Sequence, residues 1–75
     1  MKDYLEIDLE LKQDEQKEKI LKKLAGKLVA LRWKGRVMRG YIQRIEGDSL
    51  LFYGGKGKPP IHIEIRGIRS VVVYR

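Results

Sequence analysis

Leu5, Ile7, Leu9 and Leu11 alternate with Glu6, Asp8 and Glu10, so an extended backbone sends the apolar side chains to one side and the carboxylates to the other. At helical spacing the same residues would spread around the axis, and the pattern therefore predicts a strand within an arm covering residues 1–12. The period then changes. Asp14 is placed to cap a helix with Glu15 and Glu18 in its first turns, and Ile20, Leu21, Leu24 and Ala25 form a narrow apolar stripe. Lys22 and Lys23 complement the dipole at its end, and Gly26 suits the left-handed C′ position. A short helix within residues 13–26 follows, with its stripe laid across the open end or one face of a sheet.

From Lys27 onward the period is two. Val29, Leu31 and Trp33 share one face, Gly35 turns the chain, and Val37 to Ile45 forms a second strand that can bend sharply at Gly40, where no side chain resists. Glu46-Gly47-Asp48 makes a tight turn before a strand from Leu50 to Tyr53, and Gly54-Gly55-Lys56-Gly57-Lys58-Pro59-Pro60 must be a loop. Ile61, Ile63 and Ile65 then alternate with His62, Glu64 and Arg66, Gly67 breaks the run, and Val71 to Tyr74 is a last strand. The expected fold is mainly β: one domain over residues 1–75, with a small, strongly bent five-stranded barrel at 27–75, a short helix before it and an extra N-terminal strand.

Charge divides the chain along the same lines. Residues 1–19 hold seven acids and four bases, whereas residues 20–75 hold three acids and thirteen bases. Cations gathered on a small sheet suit a polyanion, because each phosphate neutralised releases a condensed counterion. With 75 residues and no cysteine, the core is small and disulfides cannot reinforce it, which leaves tight packing or self-association. The chain also lacks asparagine and threonine, a bias that suits a thermophile. Neither a membrane-spanning apolar run nor the apolar core of a signal peptide is visible, so a cytoplasmic protein is expected.

The run Leu24, Gly26-Lys27, Val29, Leu31, Lys34, Gly35-Arg36, Arg39-Gly40 and Ile42 resembles the first motif of the Sm-like (Lsm) RNA-binding proteins. Ile65-Arg66-Gly67 before a valine-rich strand is similar to the second. The resemblance covers residues 20–75 and implies an open, SH3-like small barrel that joins its fourth strand to the fifth of a neighbour to make a ring, with single-stranded RNA around the pore. It carries Arg66 over as the best-matched site residue. Where the family holds a base with an aspartate and an asparagine, this chain has Glu46-Gly47-Asp48-Ser49, with Glu46 at the aspartate position and no asparagine. The base-holding set implied by the family is thus incomplete.

The residues themselves offer Arg32, Lys34, Arg36 and Arg39 around the first hairpin as one phosphate track, with Lys56 and Lys58 as cations of a flexible loop. A solvated hairpin kept soluble by its charges is the plain alternative. Trp33 and Tyr41 could stack bases, although Trp33 shares its face with Val29 and Leu31 and fits a core better; Tyr53, beside the glycine loop, is the better stacking candidate. The glycine loop lacks the spacing, the hydroxyl and the following helix of a Walker A loop. His62 alternates onto an open face as the chain's one histidine, and no nucleophile or acid–base constellation can be assembled. These features argue against an enzyme and against a metal or other cofactor.

The reading is a non-catalytic RNA-binding module with mainly phosphate-backbone contacts to single-stranded RNA through Arg32, Lys34, Arg36, Arg39, Tyr53, Lys56, Lys58 and Arg66, with DNA as a second partner and a homo-oligomer formed through edge strands. Two alternatives share the charge. A duplex-DNA-binding architectural protein would need an exposed apolar wedge such as Trp33 or Met38. A protein-interaction or assembly module would recruit its partner by strand addition.

Overall fold

Antiparallel pairing organises the chain. The computed structural model describes residues 3–55 and 57–74, which form β1 (Tyr4–Asp8), α1 (Asp14–Lys23), β2 (Leu28–Trp33), β3 (Arg36–Glu46), β4 (Ser49–Tyr53), β5 (Ile61–Glu64), a 3₁₀ turn η1 (Ile65–Gly67) and β6 (Ile68–Tyr74). One six-stranded sheet results, in the order β1-β6-β2-β3-β4-β5. The small β fold with one short helix and an added N-terminal strand is as expected. The sheet is open: among the described residues its outer strands β1 and β5 are not paired with each other.

Turn chemistry sets the registers. Lys34 and Gly35 both take positive φ, 48° and 74°, between the paired residues Trp33 and Arg36, the arrangement of a two-residue type I′ hairpin whose twist matches its strands. Gly47, at φ 61°, opens the equally short turn between the paired residues Glu46 and Ser49. In the middle of β3, Gly40 is buried, and a Cβ there would run into the Tyr53 carbonyl oxygen and come within 3.0 Å of the Gly54 Cα. Only a glycine lets the end of β4 approach so closely.

Alternation then divides inside from outside. Val29, Leu31, Ile42, Leu50, Phe52, Ile63, Ile68 and Val71 are at most 2% exposed and form the core with Leu9, Leu21, Leu24 and Ile65. Trp33 and Met38 are half-buried and pack against this cluster, so Trp33 is chiefly a core side chain. α1 lies against η1 and β3, which brings Leu21 and Leu24 over the core.

Several local expectations need correction. Gln13, not Asp14, occupies the N-cap, and its N–H donates to Gln16 Oε1 at 3.3 Å, leaving Asp14 and Glu15 to complement the dipole within the first turn. The helix closes at Lys23, and Gly26, at φ 84°, comes two residues after the cap residue Leu24. Ile65 is buried as its alternation suggests, but in η1 rather than in a strand: its N–H donates to the Asp48 carbonyl at 2.9 Å, which folds the chain away from β5. The arm's strand stops at Asp8, where Oδ1 accepts the Glu10 N–H at 2.9 Å. Of its four apolar residues Leu9 is fully buried and Ile7 half-buried, while Leu5 and Leu11 are 48% and 96% exposed. Among the described residues no helix is long and apolar enough to cross a membrane.

Candidate nucleic-acid interface

The four hairpin cations do not share one track. Residues paired across a sheet point to the same side, and the β2–β3 register places Arg39 opposite Ala30 and Arg32 opposite Val37, on the outer face away from the core. Arg36 pairs with Trp33 and has the opposite parity, exposed at the hairpin end. Lys34 occupies the turn itself. Its Nζ lies 4.9 Å from the centre of the Trp33 ring and 4.0 Å from Glu64 Oε1, so the left-handed turn directs this cation toward η1 rather than along β3.

That direction brings Lys34 to Arg66. The two line a recess of about 310 Å³ together with Lys17, Gly67, Arg69 and Glu10. Lys17 is only 5% exposed, and its Nζ donates to the Arg66 carbonyl oxygen at 2.8 Å, tying α1 to η1. Gly67 is required at the rim, since a Cβ there would lie 2.8 Å from Trp33 Nε1. That indole nitrogen is buried and has no hydrogen-bond partner among the described residues. Arg69 is held loosely by Glu10, Nη1 to Oε1 being 3.7 Å with both side chains more than half exposed. Four cations and one carboxylate, Glu10, line this recess, giving it an excess of positive charge.

On its other flank Arg66 borders a different recess, of about 410 Å³, lined by Asp14, Glu15, Glu18, Gly47, Asp48, Glu64 and Ile65. The β3–β4 turn and Arg66 do come together here, while Gly67 faces the basic recess. Glu46, however, is engaged by Arg44, Nε to Oε1 3.2 Å, and the carboxylates of α1 make this recess acidic. They form no metal-holding group among the described residues.

The outer face carries what the residue pattern alone did not reveal. Pairing sets Tyr4 beside Tyr74 and Tyr41 beside Tyr53, and Leu28 lies opposite Tyr41. Val29 pairs with Val73, so the next position aligns Leu28 with Tyr74, and all four tyrosines of the chain fall in one row across the sheet. The Arg39 guanidinium lies over the Tyr74 ring, 4.8 Å from its centre. Tyr41 is 40% exposed and Tyr53 half-buried. Lys58 is exposed in the loop after β4, with its Cδ 3.9 Å from where a Gly54 Cβ would stand; Lys56 lies outside the described residues. Toward the opposite edge Glu6, Asp8 and Glu10 line a groove of about 450 Å³ with Arg32, Arg69 and Ser70.

Sequence reasoning missed Lys17, Arg69, Arg44 and Tyr74. The outward parity of Arg44 depends on the irregularity between Ile42 and Arg44, and that of Tyr74 on pairing between strands far apart in the chain. No family model matches the chain, and no curated protein or solved structure is significantly similar to it.

Proposed function

We propose that this protein is a non-catalytic binding module for single-stranded RNA that holds its ligand mainly through backbone phosphates. The observation that carries the reading is the recess formed by Lys17, Lys34, Arg66 and Arg69 around a single carboxylate. An Sm-like relationship is part of the same proposal. Leaving out β1, the order β6-β2-β3-β4-β5, a preceding helix and Arg66 beside the β3–β4 turn support it.

Affinity is then chiefly electrostatic, because phosphate contacts position a strand without reading it. Engagement of four to six phosphates gives a log–log dependence of affinity on salt of about −3 to −4 for a single strand. A slope near zero, or no binding at low salt, refutes the reading.

Self-association through edge strands belongs to the proposal with one change of contact. β6, the strand a family-type ring would offer to its neighbour, is already paired with β1 on one side and β2 on the other. The edges left for a second copy are β5, where Ile61 is 42% exposed, and the outer side of β1, and strand addition between them protects both. Light scattering at micromolar concentration should give the mass of an oligomer; a monomer's mass refutes this contact.

A further inference from the structure

We infer that the outer sheet face stacks unpaired bases on Tyr53, Tyr41 and the Arg39–Tyr74 pair, which makes the module selective for single-stranded nucleic acid over both duplex and bare polyanion. This rests on the nucleic-acid reading proposed above and adds a second contact surface to it. The row is geometric, since Tyr41 and Tyr53 are direct cross-strand neighbours in adjacent strands, about 5 Å apart. Two strand spacings further on, about 10 Å away, Arg39 covers Tyr74 and offers the plane of its guanidinium, a surface on which bases stack as they do on aromatic rings.

A row of partly exposed aromatics on one sheet face is a surface on which flat ligands can stack, and charge decides which. Arg39 and Arg44 stand on the same outer face as Tyr41, and Lys58, in the loop after β4, has its Cδ 3.9 Å from where a Gly54 Cβ would stand, next to Tyr53 in the chain, so the row is bordered by cations suited to a phosphodiester chain. The row reaches β1 at Tyr4, where Glu6 and Asp8 share the outer face and repel phosphate. The face therefore accepts a few nucleotides running from β4 toward β6. Paired bases hide their planes within a duplex and cannot lie flat on tyrosine, whereas every unpaired base has a face to present. Stacking of this kind reads neither base identity nor the 2′-hydroxyl, so RNA and single-stranded DNA are both held.

The test uses the full chain and two fluorescent 12-mers at one low salt concentration, a mixed-base single strand and an abasic phosphodiester of equal charge. Wild type should bind the base-bearing strand at least tenfold more tightly than the abasic one, in line with the value of a stacked base. Y41L/Y53L should lose at least tenfold for the base-bearing strand and little for the abasic strand, and Y41F/Y53F should retain the wild-type preference. Equal wild-type affinity for the two strands overturns the inference without requiring any variant to fold, and it leaves the phosphate reading intact. Unchanged binding by a folded Y41L/Y53L protein overturns it as well. Failure of wild type to bind either strand overturns the nucleic-acid reading and the inference with it.

Discussion

Two recesses meet at Arg66 and carry opposite charge. One side gathers Lys17, Lys34 and Arg69 around Glu10; the other gathers Asp14, Glu15, Glu18, Asp48 and Glu64. Helix α1 supplies both, with Lys17 toward the first and its neighbours toward the second. The acidic recess includes the β3–β4 turn, where the Sm-like resemblance would place a held base, while the basic recess depends on a helix lysine and a β6 arginine to which that resemblance assigns no role. A phosphate at the acidic side meets five carboxylates, and its proposed place is on the lysine side.

Breaking the basic side should have the largest effect. Replacing Arg66 and Arg69 together by glutamate should lower single-stranded RNA affinity about a hundredfold at low salt and flatten the log–log salt slope by about 1.4, the single-strand coefficient for two lost phosphate contacts. Fluorescence anisotropy across a salt series measures both, and an unchanged slope would move the phosphate contacts elsewhere.

A smaller effect is expected from the arm. Its carboxylates share a groove with Arg32 and Arg69, where exposed ion pairs stabilise the fold little but repel an approaching phosphate. Replacing Glu6, Asp8 and Glu10 by glutamine should raise RNA affinity about threefold at low salt and lose that gain as the Debye length shortens. Unchanged affinity in a folded protein would leave the arm a purely structural part.

The smallest effect should come from the acidic recess, because nothing in the proposal places RNA there. Replacing Glu15 and Glu18 by glutamine should leave affinity within about twofold, the size of a distant, screened charge effect. A gain matching that of the arm variant would show that RNA reaches both sides of Arg66, and the contrast would collapse.

Much of the fold was legible because local chemistry decides it. Alternation marked β1, β2 and β5, the glycines Gly35 and Gly47 marked two turns, and Gly40 stood out as a place where no side chain fits, which the structure answers with the close approach of the β4 end. The candidate site was legible as charge but not as geometry. Arg32 and Arg36 look equivalent in the sequence, yet the register turns one outward and sets the other at the opposite parity. Lys17 reads as one more surface cation of a charged helix; its burial depends on the Arg66 carbonyl, which lies 49 residues away in sequence. The tyrosine row is likewise invisible until β1 finds β6.

The pairing of Tyr4 with Tyr74 also bears on how the molecule is assembled. The first strand cannot dock until the last one exists, so this ladder closes the longest loop in the chain and is expected late in folding. Until then the arm, with its unsatisfied backbone and its carboxylates, is an untethered acidic peptide beside a growing basic sheet. The same adjacency places the two ends of the described chain side by side. A short linker joining them, with a new break at Gly57 in the loop between β4 and β5, should yield a circular permutant that keeps all six strands in order and reverses the sequence of events, with β1 and β6 forming an early local hairpin instead of the final seam.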